Sequence, residues 1–193
     1  MSNVTVHDDD GMNGAVLAQP YAVPDLPLTG TDGGAYRLDD GPADAGDDLT
    51  LVFFGYTHCP DICQVVMADI ASALTRLDDG QRSRVGMQFV TTDPARDDGA
   101  TLREYLDRFD PSFDGLTGPL NRIVEVGDAL GVPVEKGERL PSGGYEVSHG
   151  TQVVGVLPDG TAPIVWTEGT GPGPMADDIR TILTDGIPAG VDQ

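Results

Sequence analysis

A chain of 193 residues with 32 acidic side chains against 11 basic ones carries a net charge of −21. That length supports one domain with its own core plus a tail, and that charge excludes nucleic acid as a partner, since phosphate backbones need Lys and Arg. Two cysteines are too few for a disulfide framework and read as chemistry, and no run of apolar residues is long enough for a membrane span.

The N-terminus lacks the basic-then-apolar layout of a signal peptide, so the sequence reads as soluble as written or as a chain whose anchor has been left off. The acids are spread between apolar periodic segments, which fits a surface adapted to high salt, where screening shortens the reach of self-repulsion.

Residues 1–20 are polar and Gly-bearing and predict a flexible acidic tail, with His7 beside three aspartates read as a solvated tail residue. Residues 21–188 then form one domain. From Tyr21 to Leu38, two short extended pieces flank Thr31-Asp32-Gly33-Gly34 and predict a β-hairpin, followed by an Asp/Gly-rich loop from Asp39 to Asp48. Thr50 to Tyr56 is β-branched, aromatic and uncharged, the signature of a buried strand.

A helix is expected from Pro60, which suits the first helical position. Its apolar stripe is Ile62, Val65, Val66, Ile70, Ala73, Leu74 and Leu77, with a stop near Asp78-Asp79-Gly80. Val85 to Thr92 reads as a second strand, parallel to the first. Asp93-Pro94-Ala95-Arg96-Asp97 is a turn, Ala100 to Phe109 an amphipathic helix, and Asp110 to Gly118 a loop. Pro119 opens a helix that Gly131 closes, and Val132 to Val147 is an excursion, partly hairpin, ending at Ser148-His149-Gly150. A hairpin about Pro158-Asp159-Gly160 joins Gln152–Leu157 to Ala162–Trp166, and Met175 to Leu183 is a terminal helix. This order predicts an α/β thioredoxin-like sandwich: a central mixed β-sheet flanked by helices on both faces, with an N-terminal β-hairpin.

The chemistry gathers where strands end. In an open α/β sheet, ligands collect at the C-terminal strand ends. The first long strand leads to Cys59 and Cys63, the next to Asp93, and the loop before the late hairpin to His149. An i, i+4 pair on a helix start puts both sulfurs on one face, and the helix N-terminus favours the thiolate of Cys59. Two such thiols hold a soft metal ion or close into a disulfide. With one imidazole they form a set suited to Cu(I), and to Cu(II) when a further ligand joins. The competing chemistry is thiol–disulfide exchange, in which Cys59 attacks and Cys63 resolves. His58 is an exposed turn residue, an extra ligand or a group that tunes the adjacent thiolate. Asp93 pairs with Arg96, bonds within the site or initiates the turn. Asp61 suits a helix N-terminus, while Met67 and Met175 lie on apolar stripes and fill core.

The segment Phe54-Gly-Tyr-Thr-His-Cys-Pro-Asp-Ile-Cys63 is followed in order by Thr92-Asp-Pro-Ala-Arg-Asp97, Tyr105, Gly115-Leu-Thr-Gly118 and Ser148-His149. Together these resemble the Sco (SenC) family of copper-binding proteins of thioredoxin-like fold, over about residues 21 to 186. The resemblance implies copper held by Cys59, Cys63 and His149; His58 and Asp93, on their own chemistry, are candidate neighbours of these ligands. It implies a metallochaperone role in assembling the copper centre of cytochrome c oxidase, by delivering copper or by reducing the acceptor's cysteines. The implied partner is the copper-acceptor subunit of a terminal oxidase, met by a monomer at the extracytoplasmic face of the cell membrane. Gln64 stands where the family has proline and Ser148-His149-Gly150 where it has Asp-His-Ser. Neither departure removes a ligand.

Overall fold

A computed structural model describes residues 11–38, 48–139 and 145–188. The tail residues 1–10 with His7, nearly all of the Asp39–Asp48 loop, and Pro141-Ser142-Gly143-Gly144 lie outside the described residues. In chain order the elements are β1 (Ala15–Ala22), β2 (Leu28–Gly30), β3 (Ala35–Tyr36), β4 (Leu49–Gly55), α1 (Ile62–Leu74), α2 (Asp79–Arg82), β5 (Val85–Thr91) and α3 (Gly99–Leu106). There follow β6 (Asp114–Thr117), α4 (Leu120–Ala129), β7 (Val134–Arg139), β8 (Tyr145–His149), β9 (Val153–Val156), β10 (Thr161–Trp166) and α5 (Pro172–Asp185).

Eight strands form one mixed sheet in the order β1-β10-β9-β4-β5-β6-β2-β3, and β7 with β8 forms a separate ribbon. β4, β5 and β6 run parallel, and the other pairs are antiparallel. β4 and β5 are buried along their whole length, as a strand covered on both faces must be. Side chains alternate between two cores. Phe53, Met87 and Phe89 meet Met67 and Ile70 of α1, Leu102 and Tyr105 of α3, and Ile179 of α5. Val52, Phe54 and Val90 meet Ile123 and Val126 of α4. Helices therefore cover both faces, and the thioredoxin-like sandwich read from the sequence is the fold.

The differences from the expected elements have local causes. Residues 15–20, assigned to the tail, belong to β1, which pairs with β10 at the sheet edge, with a bulge between Val16 and Tyr21. Val16 and Leu17 are buried there, so the strand is held by partners some 150 residues away in sequence rather than by local propensity. The expected hairpin of residues 21–38 is β2–β3, closed by Gly30 and Gly34 across the turn.

Asp114–Thr117, expected as loop, is a parallel strand beside β5. Gly115 within it admits α3, since a Cβ there would lie 2.9 Å from Thr31 Cγ2 and 3.0 Å from a Leu106 methyl. The first helix begins at Ile62, not Pro60, and ends at Leu74. Gly80 sits inside the short α2, whose N-terminus Asp78 and Gln81 close with a reciprocal capping box. Val65, placed on the buried stripe, is half exposed, while Val66 and Ile70 carry the packing. Gly131 does end α4, with the positive φ of 68° that a helix stop of this kind uses.

Candidate metal centre

β4 and β5 end side by side, with Gly55 opposite Thr91, and the chain leaves both strands at one edge of the sheet. After Gly55, the N–H of Cys59 bonds back to the carbonyl of Tyr56 at 3.1 Å and closes a turn. Pro60 lies just beyond this turn and ahead of the Asp61 N-cap, so it stands outside the helix and not at its first position. Cys63 is then the second residue of α1. Both sulfurs are buried and neither is in a disulfide.

The two thiols are electrostatically unequal. Burial opposes ionisation of Cys59, but hydrogen bonds from the Asp61 backbone N–H, the Cys63 thiol, the Cys63 N–H and the Tyr56 hydroxyl outweigh it and lower its pKa. The helix start therefore turns its unpaired N–H groups onto this sulfur, which is how a helix N-terminus favours an anion. Cys63 is pushed far upward, first by burial, then by donating its proton to Cys59, and further by the charges of Cys59 and Asp97. Of the two, Cys59 is therefore the sulfur that ionises more readily and Cys63 the one that holds its proton more tightly. Tyr56 is raised by burial, by the charges of both cysteines and by its bond to Cys59.

Below the pair, the rings of Phe53, Phe89, Tyr105 and Phe109 follow one another at centroid spacings of 6.0, 5.5 and 5.3 Å. The buried Tyr105 hydroxyl has no hydrogen-bond partner among the described residues. Burial first, and then the charges of Cys63 and Cys59, push its pKa far up.

His149 reaches the same edge through the backbone. It ends β8, in register with Val134, and four residues later β9 begins at Val153, opposite Phe53 of β4. Because β9 runs antiparallel to β4, the segment before it lies at the edge where β4 gives out onto Cys59. Among the described residues no group of three His, Cys, Asp or Glu side chains is assembled for a metal; two sulfurs meet directly, and the side chain of His149 lies outside what the structure describes. The donor chemistry fits copper: the sulfurs are already in hydrogen-bond contact, and the pKa of Cys59 is lowered, toward the thiolate form that binds soft metals.

Of the two candidate neighbours, Asp93 is buried and gives its carboxylate to Arg96, while its backbone opens the turn that Arg96 and Asp97 close. His58 is exposed, with Nδ1 2.9 Å from the Thr57 hydroxyl. Asp61 caps α1 without a side-chain bond, and Met67 and Met175 are core residues.

The carboxylate that organises the site is Asp97, to which the sequence reading gave no role. It is 1% exposed and accepts from the Thr57 N–H at 2.9 Å, the Thr57 hydroxyl at 2.6 Å and the Thr91 hydroxyl at 2.7 Å. It thereby ties the loop leading to Cys59 to the end of β5. Tyr56 was also missed. The available signal for both was their place inside the two matching motifs, at the strand ends.

The family model described as SCO1/SenC matches residues 35–184. A mitochondrial SCO2 homolog of Danio rerio is 36% identical over 111 residues, covering 57% of this chain and 40% of that protein. The chain spans about half, or less, of the length of the curated relatives it matches. The crystal structure of Arabidopsis thaliana ScoI with copper bound is 26% identical with a TM-score of 0.71, covering 86% of this chain and 97% of that one. Bradyrhizobium japonicum ScoI, also with copper bound, is 29% identical with a TM-score of 0.67, covering 84% and 96%.

Proposed function

The chain belongs to the SCO1/SenC family, and we propose that it is a copper metallochaperone that holds Cu(I) or Cu(II) through Cys59, Cys63 and His149. The observation that carries this is the pair of buried cysteines, not joined in a disulfide, that follows the end of β4 and enters the first turn of α1. Cu(I) meets Cys59, the thiol that ionises more readily, first, and closure onto Cys63 releases that thiol's proton to solvent. Binding therefore strengthens as pH rises through the neutral range, because the proton displaced is one that burial holds tightly on Cys63. The cargo passes to the copper-acceptor subunit of a terminal oxidase by exchange of ligands, at the extracytoplasmic face of the membrane, and assists assembly of the copper centre of cytochrome c oxidase. No helix among the described residues is long and apolar enough to cross a membrane. The copper-binding unit spans residues 21–188 and acts as a monomer, with residues 15–20 adding its edge strand.

The test is stoichiometry and spectroscopy. The reduced protein is expected to take one Cu(I), and Cu(II) to give an intense sulfur-to-copper charge-transfer band. Cys59→Ser and Cys63→Ser each abolish tight binding; retained stoichiometric binding in either would place the site elsewhere. His149→Ala alters the Cu(II) spectrum and weakens binding, and an unchanged spectrum with unchanged affinity would remove it from the ligand set.

The same asymmetry of the thiols favours a second reading, thiol–disulfide exchange that keeps the acceptor's cysteines reduced. The Cys59 thiolate attacks a disulfide sulfur of the acceptor and releases one thiolate. Cys63 then loses its proton and attacks Cys59, releasing the second, so the acceptor gains two electrons and the pair becomes a disulfide. Sustained turnover of a disulfide substrate with an added thiol reductant and no copper would put this reading first. The acidic surface is proposed to match a high-salt environment; full stability in dilute buffer would overturn that assignment.

A further inference from the structure

We propose that Asp97, Thr57 and His58 form a hydrogen-bond relay that fixes the His58 imidazole as its Nδ1–H tautomer and presents Nε2 as an accessory copper donor beside Cys59. The inference rests on the copper-binding reading above and extends it to a residue outside the expected ligand set. Thr57 has one hydroxyl hydrogen. The 2.6 Å contact to Asp97 Oδ1 claims it, since a carboxylate is the stronger acceptor. Toward His58 Nδ1, 2.9 Å away, the same oxygen has only a lone pair left to offer, so Nδ1 carries the proton. A neutral imidazole with a proton on Nδ1 has its lone pair on Nε2. Metal-binding histidines are oriented in this manner, by a bond from the other ring nitrogen to a fixed polar group.

The relay is anchored and its end is open. Asp97 is buried, and its Oδ2 is filled by the Thr57 N–H and the Thr91 hydroxyl, which leaves Oδ1 to Thr57 Oγ1. The His58 ring, by contrast, is 59% exposed and directly precedes a sulfur that is buried. A copper ion moving from a carrier in solvent to buried sulfurs passes by successive ligand exchange and needs a donor that the carrier's side can reach. His58 supplies that first contact.

The relay is tested by 15N-edited NMR of the His58 ring in the copper-free protein, in mildly alkaline buffer. The parent is expected as Nδ1–H. Thr57→Val removes the acceptor and lets both tautomers populate. Asp97→Asn inverts the relay: the amide oxygen takes the two donors at the Oδ2 position, the amide NH2 donates to Thr57 Oγ1, and the hydroxyl turns to His58, which becomes Nε2–H. A general loss of stability switches no tautomer. Nε2–H in the parent, or one tautomer in all three proteins, would overturn the relay. For the donor role, His58→Ala should slow uptake of Cu(I) from bicinchoninate about ten-fold while one equivalent still binds, and an unchanged rate overturns it. The two readings fail separately. No Cu(I) binding by the parent refutes the copper-binding reading and the donor role with it, whereas Cu(I) binding with Nε2–H refutes the relay alone.

Discussion

Asp97 and Asp178 are each 1% exposed, and in both the carboxylate oxygens are filled by neutral donors. Asp178 accepts from the Asn13 N–H at 2.9 Å and from the Asn13 amide, the Gly14 N–H and the Trp166 indole at 2.8 Å. Three of these donors come from Asn13 and Gly14, just ahead of β1, and the fourth from Trp166 at the end of β10. The donors of Asp97 sit where two parallel strands release the chain, and one of them, Thr57, passes the contact on to His58 beside Cys59. Burial and complete hydrogen bonding are thus common to a latch and to a site. What separates them is what the donors lead to: those of Asp178 fasten the edge strand β1, whereas Thr57 lies in the loop that leads to the sulfur of Cys59.

The largest expected effect is on the latch. Asp178→Ala strands the indole and two backbone N–H groups and should cost about 3–5 kcal/mol in chemical denaturation. It should leave the order of thiol reactivity as in the parent: Cys59 is alkylated first, at a pH below the ordinary thiol range, because its pKa is lowered while that of Cys63 is raised. A reversal of that order, read by mass spectrometry, would break the distinction between latch and site. Next comes Asp97→Asn, at about 1–3 kcal/mol. Here the altered readout is local: exchange of the Thr57 and Cys59 amides should rise more than exchange of Phe53 in β4, and an equal rise would make Asp97 a second latch. Thr57→Val, which loses one hydroxyl bond, should cost only about 1 kcal/mol, with Thr57→Ser restoring the parent's stability. Smallest is Val65→Thr on the exposed face of α1, which should stay within about 0.5 kcal/mol.

The parts of the molecule legible in the sequence are those whose cause is local. β4 and β5 announce themselves as uncharged runs, the turn at Gly33 by its residues, and the dithiol by its spacing. β1 and β6 were missed because neither has enough apolar alternation of its own; each exists through pairing with a distant strand. The start of α1 was misplaced by two residues because Pro60 suits a turn as well as a helix. Asp97 was hidden by composition, since one buried aspartate among 32 acidic residues has no distinguishing mark until its donors are seen. His149 as a lone histidine carried little weight by itself; the resemblance named it, and the segment that follows it enters β9 at the edge where β4 ends.

The strand β1 has a practical consequence for anyone shortening the protein. Trimming at residue 20, as the composition of the first residues invites, would take away three of the four donors to Asp178 and uncover β10 at Ile164 and Val165, leaving only Tyr21 and Ala22 beside it. The uncovered row of N–H and C=O groups is a template for strand addition from another molecule. Such a shortened protein would keep its dithiol intact and be lost to aggregation, so a preparation that fails to bind copper could be failing thirteen residues into the chain, at Asn13, and not at Cys59.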